Sequence, residues 1–392
     1  MPVNISFAER LGNIVSLTNG FVNAGQEADA ARRAARELEE EILNTASSPH
    51  EYQSKLAQAI SSLQGPPAPK VVERTEEAEE PELFNTEGPR FGAYQYATFH
   101  ADGQTSTIFK AQAKDSTAAV RIVALKVTYP AMLKPPHNSE REARLLVKAH
   151  HEHIVPLLDT LHESGGRFVL VFPFLRQDVE NLLRSGRLDK SQASMIFQGL
   201  LKALAHIHAL GMIHRDVKPS NILLKTMNGP VYLADFGIAW SPEDRDSEAA
   251  DSKITDVGTT CYRPPELLFG DRSYDASLDI WAAGCVVAEM VRDGHHPIFD
   301  AGPMGSELGL IKSIFTTLGT PNDQEWPSAR KYPDWGKMRF QSFPAKAWKD
   351  ILPGATEQAI DFVSKTVCYE CTQRLTAQQA LEHDFATQSV SS

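Results

Sequence analysis

The stretch IHRDVKPSNILL, residues 213–224, sets a carboxylate, an ammonium group and a carboxamide at fixed offsets among apolar residues: Asp216, Lys218 and Asn221. A second carboxylate, Asp235, follows in YLADFG, residues 232–237, trailed by Phe236 and Gly237. Burying this many polar groups in an apolar setting is costly unless they engage one another, a metal or a substrate. Those three engagements are the chemistry open to the set.

The order H-R-D-x-K-x-x-N, then D-F-G, resembles the catalytic and metal-binding loops of eukaryotic protein kinases. The resemblance implies an α+β, bilobal fold with ATP and Mg2+ as cofactors, and it implies further parts. A lysine on an upstream strand is supplied by VALK as Lys126, and its helical partner by SEREARLLVKA. Glu142 precedes Leu145, Leu146 and Ala149 at helical spacing and so lies on the apolar face, whereas Glu140 does not. The resemblance also implies a buried pair between Glu266 and Arg374, and Asp279 as the brace of the catalytic loop. Asp216 would orient the target hydroxyl and accept its proton, Lys218 would offset phosphoryl charge, Thr259 would bridge the two, and Asn221 and Asp235 would hold magnesium.

Counting back from Lys126, HADGQTSTIFKA at 100–111 takes the place of the glycine-rich loop, with Ala101, Gly103 and Ser106 at the three glycine positions. Two of the three glycines are thus replaced, at a cost on the order of 1 kcal/mol each if a positive φ is needed there. Ile108 and Ala124 are expected to face adenine. FVLVFPFLRQDVENLL, 168–183, resembles the hinge of the cyclin-dependent kinase group, with Phe172 as gatekeeper, Leu175 offering backbone groups and Asp178 completing the nucleotide set. Arg263 in TCYRPPELLFG marks the wider CMGC class, and FTTLGTPNDQEWP, 315–327, resembles the class insert. The resemblance covers roughly residues 91–386.

Departures qualify it. PHNSERE, 136–142, stands where that group carries its cyclin-docking helix and replaces the apolar anchor with Glu140, which argues against a cyclin partner. Ile254 occupies the activating-threonine position, with Ser252 and Thr255 close by, and Arg215 is available to a phosphate. Gly258, before Thr259, can reach or leave a positive φ freely, so weaker selectivity for proline after the target residue is expected. With the LLFG ending, these features resemble kinases that activate cyclin-dependent kinases, particularly the single-subunit fungal type. The expected partner is a protein substrate, another cyclin-dependent kinase. A pseudokinase scaffold acting through the N-terminal helices, and a kinase restrained by its own extension, are the alternatives.

The elements that must position these groups are legible in outline. From about residue 94 the pattern alternates with period two, and after about 176 it turns helix-rich. This gives a small sheet lobe over 91–175, a helical lobe over 176–386 and a tail at 387–392. Residues 1–90 read as a separate extension. Ala31, Ala34, Ala35, Leu38 and Ile42 form one helical stripe, and Ser48, Pro49 and Glu51 open a second stripe of Tyr52, Leu56, Ile60 and Leu63. A Pro-rich, then glutamate-rich segment, 64–82, reads as a flexible linker.

Composition sets limits. An apolar share of 42% permits a core, and a formal charge of −11 speaks against nucleic-acid or membrane-surface binding. The first ninety residues hold 8 Lys and Arg against 15 Asp and Glu, so most of the acidity lies there. Four cysteines make no disulfide framework, and the C-x-x-C pair Cys368 and Cys371 lacks the second pair of a zinc site. With no leader or spanning segment read at the start, the expected compartment is the cytoplasm or nucleus.

Overall fold

The computed structural model describes residues 88–103, 105–114, 120–302 and 305–387, the run 28–46, and single or paired positions between 10 and 59. The chain divides into two units, residues 1–83 and 84–392. The division falls earlier than 90/91 because the chain already belongs to the second unit at Gly88 and Pro89. The Pro89 carbonyl accepts from the Ala97 N–H at 3.0 Å, and a Cβ on Gly88 would stand 2.7 Å from the Ala97 carbonyl oxygen.

In the first unit, Ala28–Thr45 forms helix α1. Ala35 and Ile42 of its stripe are buried with Leu17, Tyr52 and Leu56 in one apolar cluster, and Leu38 packs against it. The Ser48 hydroxyl accepts from the Glu51 N–H at 3.1 Å, the cap that the Ser-Pro-x-Glu spacing calls for. Ile60, Leu63, the 64–82 segment and the Ala31 side chain lie outside the described residues. A polar contact joins this cluster through Tyr52. Buried Glu39 receives the Arg10 guanidinium at 2.9 and 2.7 Å and the Tyr52 hydroxyl at 2.8 Å. The Arg10 fork holds the Glu39 carboxyl below the usual carboxylate range against the opposing effect of burial.

The second unit opens with a five-stranded antiparallel sheet: β1 (Gln95–Asp102), β2 (Thr107–Lys114), β3 (Val120–Thr128), β4 (Asp159–Glu163) and β5 (Arg167–Pro173), in the order β1-β2-β3-β5-β4. Alternation puts Ala111, Val123, Leu125, Val127, Val169 and Val171 into one apolar cluster. The pairings Ile108 with Lys126 and Ala124 with Phe172 put those four side chains on the other face, toward the cleft. Helix α2 (Ser139–Lys148) accompanies this sheet, its first turn capped by Asn138, whose side chain accepts from the Arg141 N–H.

The rest is mainly helical: α3 (Val179–Ser185), α4 (Lys190–Ala209), α5 (Ser277–Val291), α6 (Glu307–Leu318), α7 (Glu357–Thr366) and α8 (Ala377–Glu382). A small antiparallel sheet of β6 (Gln177–Asp178), β7 (Ile222–Leu224) and β8 (Val231–Leu233) lies at the floor of the cleft. Asn221 immediately precedes β7, and Asp235 follows β8 by two residues. Helix α5 is buried from Leu278 to Met290 and apolar apart from Asp279 and Glu289, as a helix through the middle of a core must largely be. The fold is thus a β-sheet lobe on a helical lobe, with an N-terminal helix in the separate first unit.

One buried ion pair ties the helical lobe together. Arg374 meets both carboxylate oxygens of Glu266 at 2.6 and 2.7 Å, with neither side chain exposed, and its guanidinium lies 5.0 Å from the Trp281 ring centroid. Removing one member would leave the other charge buried without its partner. Glu266→Ala is therefore expected to cost about 3–5 kcal/mol, read as a lowered urea midpoint in equilibrium unfolding.

Candidate active site

The catalytic-loop residues are held from below by a single carboxylate. Asp279, near the start of α5 and fully buried, accepts from the backbone N–H groups of His214 at 2.8 Å and Arg215 at 2.9 Å, and lies 2.9 Å from His208 Nε2. Burial alone would raise its carboxyl. The hydrogen bonds from His208 and from the His214 backbone N–H help to outweigh burial and hold it below the usual range, so the brace stays ionised. Within this grip Arg215 takes a φ of +70°, a conformation L-residues avoid.

Above the brace the loop side chains converge. Asp216 Oδ1 accepts from the Thr259 N–H at 2.9 Å and the Thr259 hydroxyl at 2.8 Å. Lys218 Nζ donates to Thr259 Oγ1 at 2.8 Å and stands 2.9 Å from Asp216 Oδ2. Asn221 Nδ2 donates to the Asp216 carbonyl at 2.9 Å and to its Oδ2 at 3.1 Å, so the loop closes on itself.

From the sheet side, Lys126 Nζ reaches Glu142 at 2.7 and 2.9 Å and Asp235 Oδ1 at 2.7 Å. Glu142, buried on the inner face of α2, makes this contact, and Glu140 is exposed. Burial pulls the Lys126 ammonium down, but Asp235 and Glu142 together raise it above the ordinary value. Burial pushes the Asp235 carboxyl up, and Lys126 more than reverses that, leaving it well below the usual range. For Glu142 burial prevails over Lys126, and its carboxyl is raised. One ammonium thus holds one firm anion and one softened one.

The glycine-rich-loop positions fall on a tight β1–β2 connection. Ala101 lies in β1, Gly103 at the turn, and Ser106 just before β2, where its carbonyl accepts from the Gly103 N–H at 2.7 Å. None of the three has a positive φ, so the strain expected of alanine and serine there is not incurred. The hairpin turns without left-handed residues at these positions, which is why the missing glycines are tolerated.

A cleft of about 740 Å³ is lined by Gly103, Ser106, Lys126, Glu142, Asp216, Lys218, Asp235 and Thr259 and runs on to Arg263. Ile108, Ala124, Phe172 and Leu175 are outside this lining, the first three on the cleft-facing side of the sheet and Leu175 packed against the helical-lobe core. Asp178 has a use of its own: it caps α3, one oxygen accepting from the Asn181 N–H at 2.8 Å and the other from Asn181 Nδ2 at 2.6 Å. The residues fit a magnesium ion. Asp235 Oδ2 and Asn221 Oδ1 receive no hydrogen bond among the described residues, and a carboxylate and an amide oxygen are the hard donors that ion prefers.

The segment after Gly237 closes the front. Gly258 has φ +77°, its carbonyl accepts from Arg263 Nε at 2.9 Å, and a Cβ there would lie 2.8 Å from the Arg215 carbonyl oxygen. The freedom expected of this glycine is therefore taken up by packing: glycine is what allows the segment to approach the catalytic loop so closely.

The protein kinase domain family matches residues 101–386, and the chain belongs to it. Fold and site together define a protein serine/threonine kinase of the cyclin-dependent kinase type. The chain is 35% identical over 272 residues to the serine/threonine-protein kinase csk1 of Schizosaccharomyces pombe, covering 68% of this chain and 86% of that protein. It is 32% identical over 290 residues to cyclin-dependent kinase 20 of Homo sapiens, covering 72% and 80%. To cyclin-dependent kinase D-1 of Arabidopsis thaliana it is 33% identical over 304 residues, covering 77% and 69%.

Sequence reasoning passed over Arg141 with Glu248 and Arg144 with Asp244, pairs that the structure forms on the flank of the site. The available signal was charge: Arg141, Arg144 and Lys148 recur at i, i+3 and i+7 on α2, and EDRDSE at 243–248 is the acidic run able to meet them.

Gly258→Val would place a β-branched side chain at a left-handed φ and against the Arg215 carbonyl. It is expected to loosen the segment by at least about 1–2 kcal/mol, seen as faster limited proteolysis between residues 241 and 262 with the global unfolding midpoint little changed.

Proposed function

We propose that this kinase transfers the γ-phosphoryl of ATP to a serine or threonine in the activation segment of another cyclin-dependent kinase, and that it does so as a single chain. The observation that carries phosphotransfer is the convergence of Asp216, Lys218 and Thr259 with Lys126 and Asp235 on one cleft. A scaffold has no use for that arrangement. Support for the target class comes from the departures in PHNSERE and at Ile254, together with the resemblance they carry.

In this reading the target hydroxyl hydrogen-bonds to Asp216, which orients it and takes its proton late in the reaction. The hydroxyl oxygen bonds to the γ-phosphorus as the bond to the bridging oxygen breaks, and ADP leaves. Lys218 offsets charge on the transferring group, and Thr259 keeps Asp216 and Lys218 in register. Lys126, steadied by Glu142, grips the α- and β-phosphates, while the Gly103 turn covers them. Ile108 and Ala124 face the adenine beside Phe172, with backbone groups of Leu175 as its hydrogen-bond partners. Magnesium, held through Asp235 and Asn221, would neutralise the triphosphate.

A second reading concerns the target sequence. Because Arg263 occupies the Gly258 carbonyl, that carbonyl is not free to accept from the amide after the phosphoacceptor, so a proline there loses nothing. This favours a proline-directed kinase over the relaxed selectivity expected of glycine. A peptide panel decides between them: a dominant proline after the target residue supports the second reading, and efficient phosphorylation of an inactive cyclin-dependent kinase at a non-proline site supports the first.

Asp216→Asn is expected to lower turnover by about 10² to 10⁴ with little change in nucleotide affinity. Mg-ATP at 100 times its Kd should stabilise the parent by about 2.7 kcal/mol, measured as a thermal shift. Absence of that shift would overturn the enzyme reading in favour of a scaffold.

A further inference from the structure

Two arginines lie buried side by side next to the active site. Arg141 on α2 is 2% exposed and Arg215 of the catalytic loop 1%. Burial lowers the Arg141 guanidinium from its ordinary value, and the neighbouring Arg215 lowers it further. Two such cations persist together only if an anion is placed between them. Glu248 is that anion: its Oε1 is 3.1 Å from Arg215 Nη1 and its Oε2 is 3.5 Å from Arg215 Nη2 and 3.9 Å from Arg141 Nη1. The Glu248 backbone is itself fixed, its carbonyl accepting from Trp240 Nε1 at 2.8 Å. Ile254, by contrast, offers no hydroxyl there and packs against an apolar cluster with Trp240 and Val257.

A second contact repeats the pattern one turn along α2. Arg144 forks onto Asp244 at 2.8 and 2.9 Å and reaches Asp246 at 2.6 Å. Asp244 is nearly buried and Arg144 about one-third exposed, so the bidentate fork is geometrically specific but partly solvated. The helix that carries Glu142 is thereby tied to the acidic segment 243–248 of the same chain.

We infer that Glu248 is a positioning residue: its carboxylate does within the chain what a phosphate added to the segment would do, and with Asp244 it holds α2 against the catalytic loop, so that phosphotransfer needs neither a prior phosphorylation nor a second protein. The inference rests on the kinase reading and deepens it. The anion site is already filled: Arg215 hydrogen-bonds to Glu248, and Arg141, 3.9 Å from that carboxylate, donates to the backbone carbonyls of Asp246 and Pro136.

The test uses the full chain purified alone and treated with phosphatase. The parent is expected to keep its phosphotransfer activity after that treatment. Glu248→Gln, which keeps shape and removes charge, is expected to lose at least tenfold in kcat with KM for ATP within about twofold, and Glu248→Asp to recover part of it. Hydrogen exchange supplies a readout independent of activity: amides of residues 139–148 should exchange at least tenfold faster in Glu248→Gln than any fall in its global stability accounts for. Asp244→Asn serves as a second variant should the first fold poorly. Equal activity and equal exchange in parent and variants overturn the inference while leaving the kinase reading intact, as does a parent that phosphatase silences. If no variant nor the parent transfers phosphate but the exchange difference appears, the anchor stands and the enzyme reading fails.

Discussion

The site depends on one buried ammonium group. Lys126 comes from the sheet, Glu142 from α2 and Asp235 from the strand-end of the helical lobe, and all three meet within 2.9 Å. Glu142 is buried and Lys126 nearly so, while Asp235 meets them from the open side of the cleft, and a buried ion without its partner costs several kcal/mol. Each therefore fixes where the other two elements must stand. Asp279 plays the same part for the catalytic loop, and Arg374 with Glu266 for the segment's far end. The scaffold can be read as three charge clusters, two of them fully buried and one opening on the cleft, spaced by apolar packing.

Much of this was legible in the residues because the relevant spacings are short. Glu142 was separable from Glu140 by helical geometry alone, since four positions decide which side of α2 faces inward. Asp216, Lys218 and Asn221 lie within six residues of one another, and their order left few ways to arrange them. What escaped notice involves partners about a hundred residues apart: Arg141 and Arg144 with Glu248 and Asp244. An acidic run and a basic helix face are each ordinary solvated surface until the fold sets them against each other. Backbone conformation was likewise hidden. The connection at Gly103 avoids positive φ, and Gly258 adopts it under contact from both sides, neither of which composition announces.

The first unit makes the same point in miniature. Its stripe of alanine, leucine and isoleucine was apparent, but the buried Glu39 carboxylate, held by Arg10 and Tyr52, was not. A glutamate in the run ELEEE, 37–41, reads as surface charge, and Arg10, twenty-nine positions away, is what meets it in the interior. A satisfied polar contact among apolar neighbours does much to select a single arrangement.

Arg215 and Asp235 both sit at left-handed backbone angles, φ +70° and +64°. Each such residue stores on the order of 1–3 kcal/mol of strain, retained only while its surroundings leave no alternative. Strain of this kind is released together with the contacts that impose it, so in the assembled centre the loss of one contact favours the loss of the next. Loosening it should therefore empty the competent population abruptly, like a latch letting go, with activity lost through a change in how many molecules are assembled rather than through a gradual blunting of every one.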